Sequence, residues 1–239
     1  MTRILRPIFG PLLVAVLFAG PCLAGPLEDG EALAGKGDFT AAIKILQPLA
    51  EQGNAMAQLD MGMFYEEGLG VEPDLAQALK WYTMAAEKGE VGAQNNLAYL
   101  YINGLGVTQD AKTAAIWYRK AADQGSPEAQ FNLARLYTKG EGVQKDYTQA
   151  AIWYHKAADQ GDADAQNSLA LMHKEGEGVP RDVVEAYKWI SLAIEGAGSD
   201  DHRTLYTFHS DGITKSMTPE QLHEAMQRVE EWKKKHPAK

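Results

Sequence analysis

Apolar positions along this chain follow two rhythms at once. Within short windows they keep the helical spacing. Leu97, Leu100 and Tyr101 line one face of a predicted helix, and Ala114, Trp117 and Ala121 line one face of the next. Over longer distances the whole pattern returns every 36 residues. Gln58, Gln94, Gln130 and Gln166 stand in register, as do Gly68, Gly104, Gly140 and Gly176, then Gly70, Gly106, Gly142 and Gly178. Asp74, Asp110, Asp146 and Asp182 follow, and Trp81, Trp117, Trp153 and Trp189 close the set. A fixed period of this size is the mark of a stacked repeat array, in which no unit buries its apolar face alone.

Four full units are predicted, over 54–89, 90–125, 126–161 and 162–196, each a helix–turn–helix. In the third, Ser126 caps a first helix with Pro127 at its first position. Gly140 takes the left-handed conformation that ends this helix, and Gly142 tightens the turn. Asp146 then caps the second helix, with Gln149 placed to complete a capping box; Asp74/Gln77 and Asp182/Glu185 repeat the pattern. Residues 25–53 read as a degenerate copy serving as the N-terminal cap, with Pro48 inside its second helix. Residues 197–239 read as capping helices. Leu205 and Phe208 are expected to face inward on the first of these, and Leu222, Met226, Val229 and Trp232 to dock the second. In the fourth full unit Ile190 stands where Tyr82 stands in the first, a change expected to weaken outer packing. The predicted fold is all-α: a right-handed α-solenoid of stacked helix–turn–helix repeats.

Composition changes the picture at the N-terminus first. Residues 1–24 carry Arg3 and Arg6, an apolar run broken by Pro11, Gly20 and Pro21, and a small-x-Ala site at Ala24. That pattern predicts a secretory signal peptide rather than a membrane anchor, and export to the periplasm of a Gram-negative bacterium or beyond it. Cys22 is the only cysteine, so the chain after Ala24 has none and needs no disulfide in an oxidising compartment. The formal charge of −9 argues against nucleic acid and anionic lipid as partners.

Candidate chemistry is sparse. The six histidines show no His-Glu-x-x-His spacing, and His202 and His209, with Asp200 and Asp201 nearby, fall one residue off two helical turns. The Gly-x-Gly pairs sit between helices, recur in every unit and lack a following Lys-Ser/Thr, which excludes a phosphate loop. No metal, cofactor or catalytic constellation is expected.

What varies between units is the outer face of the first helices, at 60/96/132/168, 63/99/135/171 and 67/103/139/175. First helices of such stacks line the concave side, where a peptide can lie. The predicted interface is Asn95, Asn96, Tyr99, Phe131, Asn132 and Arg135, rich in the side chains that dominate binding hot spots. A binder of cell-wall ligands stacking on Tyr99 and Phe131, and a weak hydrolase, are the alternatives.

The 36-residue period, the loop Gly-x-Gly-Val-x-x-Asp and the following Trp-Tyr-x-x-Ala-Ala-x-x-Gly resemble the Sel-one-like repeat, a relative of the 34-residue tetratricopeptide repeat. The ending from Met217 to Ala225 is similar to the tail that often closes such arrays in bacteria. The resemblance implies a scaffold or adaptor for protein–protein contact. Exported bacterial members are associated with periplasmic signalling, envelope assembly and host contact. A cysteine-rich branch is linked to β-lactam and cell-wall compounds through one disulfide per repeat, which this chain lacks. The expected function is a non-catalytic envelope adaptor whose partner is a protein or peptide.

Overall fold

The computed structural model describes residues 25–237, so the predicted leader lies outside the described residues. The described chain forms twelve α-helices and no strand. In order they are α1 (Pro26–Gly35), α2 (Phe39–Glu51), α3 (Ala55–Glu67), α4 (Leu75–Glu87), α5 (Val91–Asn103), α6 (Ala111–Asp123), α7 (Pro127–Lys139), α8 (Tyr147–Asp159), α9 (Ala163–Glu175), α10 (Val183–Glu195), α11 (Asp200–Thr214) and α12 (Pro219–Lys235). Each packs on its neighbour in sequence through α11, and α12 returns to pack on α10. The result is an all-α solenoid of helix pairs.

Punctuation explains the uniform helix length. First helices start on a side chain that accepts an otherwise orphaned backbone N–H: Asn54 from Ala57 at 3.0 Å, Ser126 from Ala129 at 3.2 Å, Asp162 from Ala165 at 2.7 Å. They stop at Gly68, Gly104, Gly140 and Gly176, all left-handed. Asp74, Asp110, Asp146 and Asp182 cap the second helices. The expected capping boxes close by only half. The reciprocal bond forms in α12 alone among the described helices, between Thr218 and Gln221. Glu185 is diverted instead to Lys188 and Arg228.

The second glycine of each loop sets how closely repeats stack. Gly142 has φ +72° and lies directly on the backbone of Ala111 and Lys112, at the start of the preceding repeat's second helix. Gly70, Gly106 and Gly178 meet Phe39, Leu75 and Tyr147 in the same way. A side chain there is excluded twice, by the left-handed backbone and by the neighbouring main chain.

Side chains of neighbouring pairs fill one continuous core. Ala78, Ala114, Ala150 and Ala186 are completely buried and let helices approach closely. Tyr65, Tyr101 and Trp117 each pack against two successive apolar clusters and join them. Gln58, Gln94, Gln130 and Gln166, with Asn95, are the buried polar residues of this interior. Each of the four glutamines donates its amide across the repeat boundary to a carbonyl near the end of the preceding second helix: Ala50, Ala86, Ala122 and Ala158, at 2.9–3.2 Å.

The C-terminal cap differs from the sequence expectation. Phe208 is 73% and Leu205 46% exposed, whereas Tyr206 and Ile213 are buried. The inward face of α11 is set by polar contacts as much as by apolar ones: the Tyr206 hydroxyl donates to Asp164, and His209 Nδ1 lies 2.7 Å from Asn167 Oδ1. Met226 is likewise exposed, and Ala225 and Val229 dock α12 in its place. Trp232 meets Trp189 edge-on at 6.2 Å. Ile190 is fully buried, so the position remains packed although an aliphatic side chain replaces the phenol ring.

Gly142→Ala and Gly125→Ala separate the two costs of a side chain at positive φ. Gly125 (φ +95°) has open space where its Cβ would lie, so alanine there costs only the backbone strain, on the order of 1–2 kcal/mol. Alanine at Gly142 adds a main-chain clash, and urea unfolding is expected to show at least twice the loss.

Candidate functional site

Two successive clefts open on the face formed by the first helices. The larger, about 450 Å³, lies between α5 and α7 and is lined by Tyr99, Ile102, Asn103, Asn132, Arg135 and Lys139, with Tyr118 of α6 contributing from below. The next, about 310 Å³, lies between α7 and α9 and is lined by Phe131, Arg135, Thr138, Asn167 and Ser168, with Tyr154 of α8. The helical period explains the arrangement. Residues three and seven apart share a face, so Asn132, Arg135 and Lys139 project together between the neighbouring first helices. Arg135 and Lys139 border both clefts, so α7 forms the ridge between them.

Of the six residues expected here, Tyr99, Asn132 and Arg135 line the larger cleft, and Phe131 lines the smaller one with Arg135. The Arg135 guanidinium stands 5.7 Å from the centre of the Phe131 ring and 3.5 Å from Asn132 Oδ1. Asn96 is half-buried and bonds the Tyr82 hydroxyl, which also donates to Glu66 at 2.7 Å. Asn95 does not reach the surface. It is 3% exposed and lines neither cleft. Of its counterparts Leu59, Phe131 and Asn167, the last two line the smaller cleft.

Tyr118 and Tyr154 are the cleft residues that sequence reasoning missed. They belong to second helices, whose Trp-Tyr pairs read as core. The signal was the hydroxyl: a buried tyrosine needs a polar partner, and that partner lies toward the first-helix face. The Tyr154 hydroxyl has Thr138 and Ser168 as polar neighbours that favour its ionised form, but burial outweighs them and raises its pKa.

The histidines and glycines show how the rest of the polar inventory is used. His209 is engaged with Asn167, and His202 Nδ1 lies 3.9 Å from Asp164, both contacts holding α11 to α9. Among the described residues no group of three or more His, Cys, Asp or Glu is placed to hold a metal ion. The Gly-x-Gly loops lie against the preceding repeat.

Electrostatics differ from one end of the face to the other. At α3, Asp60 occupies the position held by Asn96, Asn132 and Ser168 in the later copies. Its Oδ2 is buried without a hydrogen-bond partner, and its pKa is pushed up to about 7 by burial first and then by Glu31 and Glu90. Burial and Glu28 raise Glu31 as well.

The Asp60 shift fixes a pH dependence. Below about pH 4 the carboxyl is protonated in both folded and unfolded chains and resembles asparagine. As pH rises from there through about 7, the unfolded chain ionises Asp60 freely and the folded chain resists, so stability falls. Asp60→Asn is therefore expected to match the wild type near pH 4 and to exceed it by on the order of 2–4 kcal/mol near pH 8. A difference between the two proteins that does not change with pH contradicts this.

Comparison with known proteins places these features in a wider group. The Sel1 repeat model matches residues 24–54, 55–90, 91–126, 127–162 and 163–197. A Sel1 repeat protein from Oxalobacter formigenes is 33% identical over 75% of this chain and 73% of its own, with a TM-score of 0.69. The protein c5321, a protective antigen of uropathogenic Escherichia coli strains with an SLR fold, is 31% identical with a TM-score of 0.56. That match covers 88% of this chain and 53% of c5321, so the chain spans about half of that relative. Among curated proteins, no relative matches.

Proposed function

The chain belongs to the Sel1 repeat family, and on that premise we propose that it is a non-catalytic adaptor of the bacterial cell envelope, holding a partner protein or peptide along its first-helix face. Sel1 repeat proteins generally mediate protein–protein interaction, on a fold that is typically non-catalytic. The observation that carries the finer reading is the pair of adjoining clefts on either side of α7, sharing Arg135 and Lys139. Tyrosine and arginine are the side chains most enriched at binding hot spots, and Tyr99 and Arg135 stand together in the larger cleft. Both clefts are bounded by helices locked to their neighbours, so little ordering is needed on binding.

The envelope setting rests on the basic and apolar pattern of residues 1–24. Among the described residues no helix is long and apolar enough to cross a membrane.

The double variant Tyr99→Ala/Arg135→Ala removes both anchors while leaving the core residues in place. In-cell crosslinking of the tagged protein, read by mass spectrometry, is expected to show at least a tenfold loss of the captured partner. Far-ultraviolet circular dichroism is expected to be unchanged. Undiminished capture by the double variant would falsify the first-helix face as the interface.

A further inference from the structure

The first-helix face carries opposite charges at two places, and neither charge is needed by the fold. Asp60 sits where the sister copies have Asn96, Asn132 and Ser168, so that position requires a polar side chain but no charge. Arg135 sits where they have Met63, Tyr99 and Leu171, so that position requires no cation. The acidic end is reinforced by Glu31 of α1 and Glu90 at the start of α5, both close enough to disfavour ionisation of Asp60. The Asp60 Oδ2 is buried without a hydrogen-bond partner, and the exposed Glu31 presents the acidic charge to solvent. At the basic end Lys139 adds a second cation, 3.7 Å from Glu141. Among the described residues no carboxylate lies within ion-pair distance of Arg135. Between the two ends, α5 presents the uncharged Asn96, Tyr99 and Asn103.

We infer that this face selects an extended, charge-polarised peptide segment, with a basic side chain seated over Asp60 and Glu31 and an acidic one over Arg135 and Lys139. The inference rests on the adaptor reading above and specifies the chemistry of the partner. Complementary charge explains why both departures from the neutral pattern are kept. A partner lysine or arginine offsets the acidic field of Asp60, Glu31 and Glu90 by pairing with the exposed Glu31, and a partner carboxylate gives Arg135 an anionic acceptor in place of its 3.5 Å contact with the neutral Asn132 amide. Spacing follows from the stack. Successive first helices lie roughly 10 Å apart, so α3 and α7 are about 20 Å apart. An extended chain covers that in about six residues. Tyr99, midway, meets the intervening residues.

A random peptide library displayed on phage and selected against the purified protein tests this. The wild type is expected to enrich sequences with Lys or Arg about six positions from Asp or Glu. Asp60→Asn combined with Glu31→Gln is expected to lose the preference for the basic residue and keep that for the acidic one. Arg135→Gln is expected to do the reverse. Each variant should weaken a selected peptide about tenfold, an effect that high salt reduces in the wild type. Peptides lost in Tyr99→Ala but lacking the charge pair, or indifferent to Asp60→Asn, overturn the polarity while leaving the groove in place. Peptides indifferent to both Tyr99→Ala and Arg135→Gln overturn the groove as well, and failure to enrich any peptide counts against both.

Discussion

A buried amide reaching across each repeat boundary is the constraint on which the stack depends. Gln94 and Gln130 are almost fully buried, and each gives its Nε2 proton to a carbonyl of the preceding second helix. Those carbonyls lie near helix C-termini, where each also accepts the backbone N–H of the glycine three residues on, Gly89 on Ala86 and Gly125 on Ala122, so the glutamine takes the second acceptor position. The glutamine donor is desolvated, so a stack that slipped by one residue would leave its amide buried and unsatisfied. Apolar surfaces tolerate sliding; this contact does not. It fixes one register for each pair of neighbours, and the alanine faces and glycine loops then close on that register.

The same contact is stronger at the centre of the molecule than at its ends. Gln124 donates to Gln94 Oε1 and Gln160 to Gln130 Oε1, both at 2.8 Å, so the amides of α5 and α7 are bonded through both their nitrogen and their oxygen. At the outer repeats the corresponding residues are Lys88 and Gly196, and the Oε1 atoms of Gln58 and Gln166 have no partner. Lys88 turns to the Gly53 carbonyl instead. The doubled contacts belong to α5 and α7, the helices that wall the larger cleft. A recognition surface needs fixed side-chain positions, and the sequence places its most secure register beneath that surface.

Much of this was legible because each unit can be compared with its sisters. Helix starts at Ser126 and Asp146, the stops at the left-handed glycines and the alanine–tryptophan core all follow from local rules repeated in register. Where comparison was missing, the reading slipped. The α11 helix has no sister copy, so hydrophobicity alone put Leu205 and Phe208 inside. The hydroxyl of Tyr206 and the ring of His209, bonding Asp164 and Asn167, turned the helix the other way. Asn95, expected on the recognition face beside Asn96, is buried instead. The register of the glutamines was visible in the sequence, but their role was not, because the partner is a main-chain carbonyl belonging to the preceding unit.

The claim that the first helices carry recognition is tested most directly by hydroxyl-radical footprinting of the protein with and without its crosslinked partner. The account predicts that Tyr99 and Phe131 are shielded in the complex. Ile116 and Ile152, exposed on the second helices α6 and α8, should be oxidised as readily as in the free protein. Shielding of Ile116 and Ile152 with Tyr99 and Phe131 unchanged would contradict it and move the interface to the opposite face of the solenoid.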